Sequence, residues 1–512
     1  MAVRLADLLA GLSRLADMGF GLPIGAALRS CALATRLGRS VDLSQGEIQA
    51  AFYTALLHHA GCAGYAHETS RLFGDEINAN RAAARTDPGA VTDLFTTFLP
   101  NLTRDRPPAA RARLAVTALV KGGRWGQDFT VSACEVGRDT ARRLGLPVNV
   151  QESLFHVYDM WHAKPLGGSL SGEAIPVAAR IARLAGVAVL FDAIGGPDLA
   201  VEELRRRSGG MLDPELVARF VADASSLLEA GREAGPSSLL DLEPGPHVLA
   251  PDRRPVAEVF GDLADLKSPY LLGHSRAVAD LAAGAARVLR MPEEDASDLA
   301  VAGLLHDTGR VAVPGVVWDK AGRLDADGWE QVRLHPYHSE RILVGSTELA
   351  RLAPLVGRHH ERLDGSGYYR GCHERDLSMP ARVLAAADAY RTLLEHRPHR
   401  EALTPDRAEK RVLDEADRGR LDADAVRAVL SVAGRPVAPP VTHLPAGLTE
   451  REVEVLALVA HGCSNADIAS RLVISPRTAE HHVQHIYTKI GVSGRAAATL
   501  FAVEHRLAGL DR

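Results

Sequence analysis

Apolar residues recur at helical spacing along nearly the whole chain, and this constrains the fold more than any other feature. Val278, Leu281, Ala282, Ala285, Val288 and Leu289 form one such stripe, with the period of about 3.6 residues that puts them on one face of a helix. Alternating apolar–polar runs, the mark of a half-buried strand, are scarce. The pattern predicts an all-α protein. A length of 512 residues exceeds one ordinary hydrophobic core and implies about three domains. Two stretches rich in proline and glycine, 235–255 and 433–447, read as linkers. They predict a helical domain at 1–232, a linker at 233–256, a middle domain at 257–432, a linker at 433–447 and a short domain at 448–512.

Bulk properties exclude some functions. The formal net charge is −5, so contact with a polyanion has to come from a local patch. The five cysteines (Cys31, Cys62, Cys134, Cys372 and Cys463) are scattered, with none at metal-knuckle spacing, as expected of free thiols in a reducing cytoplasm. The opening MAVRLADLLAGLSRLADMG carries a charge every few residues. It therefore lacks a signal-peptide core, and no other stretch is apolar for long enough to cross a bilayer. A cytoplasmic protein with no membrane contact is expected.

The chain echoes itself. ALLHHAGC at 55–62 resembles GLLHDTGR at 303–310, and WHAKPLGGSLSGEAIPVAARIARLAG at 161–186 resembles LDGSGYYRGCHERDLSMPARVLAAAD at 363–388. Order and rough spacing agree, so residues 1–232 read as a diverged copy of the middle domain.

In the middle domain, His274, His306-Asp307, His335, His359-His360 and Asp388 carry the chemistry. An adjacent His-Asp inside an apolar helical run costs free energy unless something satisfies it. Cations would do so, since imidazole nitrogen and carboxylate oxygen suit iron or manganese first, with zinc a further option. A carboxylate can bridge two metals, and a metal pair can activate water for in-line attack at phosphorus.

The text GHS, LLHDTGR, HPYHSERIL, RHHERLDGSGY and PARVLAAADAY, in that order over 257–432, resembles the HD-GYP branch of the HD phosphohydrolases, which hydrolyse cyclic di-GMP. The resemblance implies that Asp307 bridges two metals and takes part in catalysis. It implies one metal held by His274, His306 and Asp388, and a second held by His335, His359 and His360. Several residues depart from the family. Arg310 stands where the family has lysine, as a second catalytic candidate with a different reach toward phosphate. The GYP loop reads Gly367-Tyr368-Tyr369 and so lacks its stiffening proline. Arg391 reverses a charge, and Tyr270 occupies the position that in some members adds a third metal. Two metals are therefore expected, with a nucleotide or other phosphoester as ligand. In the N-terminal copy, Leu22 falls opposite His274, His59 opposite Asp307, Gly186 opposite Asp388 and a residue near Cys134 opposite His335, while His58 survives. That copy is expected to hold no metal pair.

The last segment signals its own helix ends. Thr449 with Glu452 forms a capping box, Ser464 caps a helix over about 465–472, and Ser475-Pro476 opens one over about 476–489 that Gly491 ends. A fourth helix is expected over about 494–506. The stretch resembles the LuxR/FixJ helix-turn-helix, which implies a recognition helix in the major groove and pairing of two copies. Arg471, Arg477, Lys489 and Arg495 are the expected phosphate contacts. Thr478, Glu480, His481 and His482 face the bases, with Glu480 suited to cytosine N4. Together these readings describe a homodimeric DNA-binding regulator whose HD domain senses or hydrolyses a phosphoester. An active phosphodiesterase with a DNA-tethering tail remains the alternative.

Overall fold

The computed structural model describes residues 2–104, 106–162, 169–233, 235–436, 445–492, 494–505 and 507, and it is helical as the periodicity predicts. Among the described residues, strand structure amounts to one antiparallel pairing of β1 (Val3–Arg4) with β2 (Leu249–Ala250). The chain divides into two compact units, Met1–Ala438 and Pro439–Arg512. Residues 163–168, within the N-terminal echo, and 437–444, within the expected second linker, lie outside the described residues.

The first unit opens with α1 (Leu5–Phe20), α2 (Ala26–Ser40) and α3 (Gln45–Leu57), followed by a 3-10 turn over Ala60–Tyr65. Next come the long α4 (Pro108–Arg143) and α5 (Val177–Arg207), the latter broken at Gly196. The middle region repeats the opening with α6 (Arg254–Asp265), α7 (His274–Val288) and α8 (Glu293–Leu305), and then a 3-10 turn over Thr308–Ala312. Of its later helices, α9 (His335–Leu343) and α10 (Met379–Leu393) carry site residues.

Three local devices recur in both halves. In the first, α2 and α7 each begin directly after a left-handed glycine, Gly25 (φ 85°) and Gly273 (φ 77°), a conformation that glycine adopts without strain. A buried aspartate eight residues earlier anchors each start. Asp17 accepts from the amides of Gly25 (2.8 Å) and Ala27 (3.0 Å), and Asp265 accepts from the amide (3.1 Å) and hydroxyl (2.8 Å) of Ser275. Ala26 therefore stands where His274 stands. The text match that puts Leu22 there is corrected by four residues, because the turn and its aspartate, not the apolar lettering, fix the register.

In the second device, α3 and α8 each run out at a histidine pair position, His58-His59 and His306-Asp307, and pass into a 3-10 turn. The glycine of each turn is pressed against the backbone of another helix. A β-carbon on Gly61 would lie 2.0 Å from the Ala133 carbonyl oxygen of α4, and one on Gly309 would lie 2.1 Å from that of His335 in α9. Ala133 thus occupies the place of His335. In the third device, Arg180 donates to the Ile175 carbonyl (3.0 Å) and pairs with Asp213, while Arg382 donates to the Leu377 carbonyl (2.9 Å) and pairs with Asp422. Six residues further on lie Gly186 and Asp388.

One apolar core runs through both halves, and α1 lies at their seam. Asp7 accepts from the Ser346 hydroxyl (2.6 Å) and the amides of Thr347 and Glu348 (3.1 Å each). Buried Glu76 pairs with buried Lys267. Glu76 also accepts from the Gly315 amide (2.9 Å), and Lys267 donates to the Val311 carbonyl (3.0 Å). An ion pair removed from water is tolerable only when such additional hydrogen bonds satisfy it. The stretch 233–256, expected as a linker, is strapped onto the N-terminal half: buried Glu243 accepts from Arg4 Nε (3.0 Å) and the Tyr53 hydroxyl (2.5 Å). It does not separate two compact units.

The second unit contains α11 (Glu450–Ala460), α12 (Asn465–Leu472), α13 (Pro476–Ile490) and α14 (Arg495–Glu504). Thr449 with Glu452 and Ser464 with Asp467 form capping boxes, Ser475 caps α13 and left-handed Gly491 ends it. Val455, Leu456, Ile468, Val483, Ile486, Ala498 and Ala502 form its separate core.

Candidate metal centre and nucleic-acid module

Five imidazoles and two carboxylates converge between α7, α8, α9, α10 and the segment after Val356. Their donor atoms fall into two groups, His274, His306 and Asp388, and Asp307, His335, His359 and His360. Asp307 lies between them. Its Oδ2 is 3.3 Å from His274 Nε2 and 3.2 Å from His306 Nε2, and its Oδ1 is 3.2 Å from His335 Nε2 and 3.5 Å from His359 Nε2. Asp388 Oδ1 is 3.4 Å from His274 Nε2, and its Oδ2 is 3.6 Å from His360 Nδ1.

The outward hydrogen bonds orient the rings. His306, His335 and His359 give Nδ1–H to the carbonyls of Gly303 (2.7 Å), Val332 (2.6 Å) and Val356 (2.6 Å). A carbonyl only accepts, so in each neutral ring the Nε2 lone pair faces inward. His335 and His359 aim these nitrogens at each other, 3.2 Å apart, and two such lone pairs repel unless a cation or proton lies between them. His274 Nε2, His306 Nε2 and both Asp307 oxygens are buried without a hydrogen-bond partner. Buried polar atoms are rarely left so, and a cation pair would satisfy all four. The donor set fits divalent iron, manganese or zinc.

The electrostatics agree. Burial opposes ionisation of Asp307, but the Arg310 guanidinium and the His306 and His274 imidazoles prevail and hold its carboxyl well below the usual range. Asp388 is likewise held down, against burial, by His274, His360 and His306. Burial pushes His335 down to about 4 and His360 well below its ordinary value. His274 moves the other way. Burial lowers it, but Asp307, Asp388 and Glu395 together raise it well above normal, the behaviour of a site short of positive charge.

The centre opens on a cavity of about 460 Å³ whose lining includes Arg310, Arg397, Arg400, Trp318 and Tyr368. Arg310 Nε is 2.8 Å from Asp307 Oδ2, and its guanidinium stacks 4.8 Å from the Trp318 ring centroid. Burial, with Arg310 close by, pulls Arg397 down to about 10. Cations crowded this way stabilise a bound anion. Tyr270 lines the same cavity. Glu395, Arg397 and Trp318 were not singled out in the sequence reading. The one available signal was the four-residue spacing of Arg391 and Glu395 on a helix end.

The N-terminal counterpart presents Ala26, His59, Ala133 and Gly186. Phe20 stacks on His59 (centroids 4.4 Å apart), and His59 Nδ1 meets the Tyr158 hydroxyl at 3.2 Å. His58 is buried with neither ring nitrogen bonded, and burial holds it well below its ordinary value. Among the described residues, both clusters with metal-ligand geometry lie in the middle region.

In the C-terminal module, Arg471, Arg477, Thr478, Glu480 and His481 are exposed and His482 is half-buried. Lys489 and Arg495 are engaged within the module. Lys489 bonds Glu452 (2.7 Å) and the Gly447 carbonyl (3.0 Å), while Arg495 bonds the Cys463 carbonyl and Asn465 Oδ1. Both were expected at phosphates. Here they tie helices together, which leaves Arg471 and Arg477 as the exposed cations of the expected set. Among the described residues no helix is long and apolar enough to cross a membrane.

Comparison with known proteins identifies both domains. Residues 258–425 match the family model described as HD domain, and residues 446–502 match that of bacterial regulatory proteins, luxR family. The chain is 30% identical to the 3'3'-cGAMP-specific phosphodiesterase 3 of Vibrio cholerae over 412 residues, 79% of this chain and 89% of that one. It is also 30% identical to a cyclic di-GMP phosphodiesterase of Thermotoga maritima, over 28% of this chain and 40% of the relative. The crystal structure of the cyclic GMP-AMP specific phosphodiesterase V-cGAP3 of V. cholerae superposes with a TM-score of 0.57 at 26% identity, covering 85% of this chain and 98% of that one.

Proposed function

The chain belongs to the HD-GYP branch of the HD-domain phosphodiesterases, joined here to a LuxR-type helix-turn-helix, and from that premise we propose that it hydrolyses a 3'3'-cyclic dinucleotide and binds duplex DNA. The observation that carries the first part is the set of inward lone pairs around two buried Asp307 oxygens that accept no hydrogen bond, beside a cavity lined with arginine. His274, His306 and Asp388 would hold one metal and His335, His359 and His360 the other, with Asp307 shared. A bound pair would supply Lewis acidity and an activated water for phosphodiester cleavage. Arg397 on the cavity wall suits the phosphates of the ligand, and Trp318 and Tyr368 offer ring faces to its bases. Iron and manganese are the favoured metals.

A second reading is a DNA-bound sensor that holds the dinucleotide without turnover. Arg310 favours it, because its Nε against Asp307 Oδ2 competes with a cation for that oxygen. Incubating Mn²⁺- or Fe²⁺-loaded protein with 3'3'-cGAMP and with cyclic di-GMP separates the two readings. Linear product that disappears in Asp307→Ala supports hydrolysis, and tight binding without product supports the sensor.

The DNA-binding part rests on α13, which begins at a capped proline and presents Arg477, Glu480 and His481 to solvent. Two copies on a two-fold site would read duplex DNA through this helix. Arg477→Ala should weaken binding to all sequences and lower the salt slope by about 1. An unchanged slope would remove Arg477 from the interface.

A further inference from the structure

The two metal-ligand groups differ in what stands behind the rings. In the group containing Asp307, His335 and His359 lean on backbone carbonyls, and His306 in the other group does the same. His274 instead gives Nδ1–H to a carboxylate, Glu395 Oε2, at 2.9 Å. Its ring is fully buried, and the Glu395 side chain is nearly so. Glu395 is itself gripped from two sides, by Arg391 Nε on Oε1 and Arg397 Nη2 on Oε2, each at 2.7 Å. Arg397 lines the cavity and also donates to the Tyr270 carbonyl (3.1 Å). Arg391, the reversed charge noted in the sequence, is thus the counter-ion of Glu395.

We propose that Glu395 is a positioning residue that makes the His274–His306–Asp388 group the tighter of the two metal sites, while fixing Arg397 on the cavity wall. The inference rests on the metal-centre reading above. The physics is that of a carboxylate behind a ligating histidine. An ionised carboxylate can only accept, so Nδ1 keeps its proton and Nε2 stays free to ligate. The negative charge also makes Nε2 a better donor than a neutral carbonyl would. A glutamine in that place accepts through one face and donates through the other, so it neither locks the tautomer nor supplies the charge.

The test is metal binding by the full chain, read without activity. Metal-free protein is titrated with Zn²⁺, and separately with Mn²⁺, against a chromophoric chelator. The unaltered chain should take two equivalents of unequal affinity. In Glu395→Gln the tighter equivalent should weaken about 10- to 100-fold, while the other stays within about twofold of its former affinity. Glu395→Asp, which keeps the charge on a shorter arm, should fall between. Arg391→Ala removes one counter-ion but leaves the Glu395–His274 bond; it should leave the tighter equivalent unchanged or tighter, and it serves as the second variant if glutamine impairs folding. Two equivalents unaltered by Glu395→Gln, both weakened alike, or a tenfold loss in Arg391→Ala would overturn the inference. An unaltered chain that takes up no metal would instead overturn the metal-centre reading itself.

Discussion

The N-terminal half and the middle region use the same scaffold around opposite contents. In both, an aspartate anchors a helix start after a left-handed glycine, a histidine closes the helix that follows, and a turn glycine is pressed against a crossing helix. The middle region fills the resulting pocket with imidazoles and carboxylates. The N-terminal half fills it with Ala26, Gly186, Ala133 and the ring of Phe20 stacked on His59. The scaffold is held by left-handed glycines, buried aspartates and close backbone crossings that lie outside the ligand set. The same packing devices thus surround a ligand cluster in one half and an apolar, aromatic filling in the other.

The sharpest way to break this comparison is to exchange the paired positions. Asp307→Asn should abolish uptake of the metal pair and lower hydrolysis roughly 10³-fold, whereas His59→Asn should leave metal content and rate unaltered. Metal analysis of both purified variants decides it, and a matching loss in His59→Asn would mean that the N-terminal pocket ligates after all. A smaller effect should fall equally on the two halves. The β-carbons added by Gly61→Ala and Gly309→Ala meet backbone oxygens at 2.0 and 2.1 Å, and overpacking of this kind costs about 3 kcal/mol. Chemical denaturation should show both variants destabilised, but only Gly309→Ala with weakened metal binding. A neutral Gly61→Ala would remove the shared packing device.

A third expected effect concerns the two anchoring aspartates. Burial raises Asp17 to about 7, partly offset by the amides of Ala27 and Gly25, and Asp265 to about 6, partly offset by His274 and by the hydroxyl and amide of Ser275, from an ordinary 3.8. The folded chain therefore keeps protons that the unfolded chain releases. Stability should fall as pH rises from about 4 toward 7 and then level off. Asp17→Asn, which carries no titrating group, should remove the upper part of that slope in a series of denaturation midpoints. A slope that persists unaltered would show that Asp17 is ionised throughout.

Much of this was legible in the sequence because it is local. Capping boxes and Ser475-Pro476 depend on neighbours three residues away, and the C-terminal helices begin where those signals place them. The order of ligand residues was legible for the same reason, since a His-Asp pair in an apolar run is visible without a fold. Long-range polar contacts were not. Proline and glycine mark 233–256 as a linker, yet Glu243 binds Arg4 and Tyr53 from far along the chain. Lettering likewise placed Leu22 opposite His274, because an apolar residue carries no register, whereas the Asp17–Gly25 turn does. Glu395 was missed because its significance lies wholly in a contact with His274, 121 residues away.

Through the clasp between Asp7 and residues 346–348 and the buried pairing of Glu76 and Lys267, the N-terminal half has a structural task. It walls in the segment that leads from Arg310 to Gly315, so damage there should surface as failure in a reaction whose atoms it never meets.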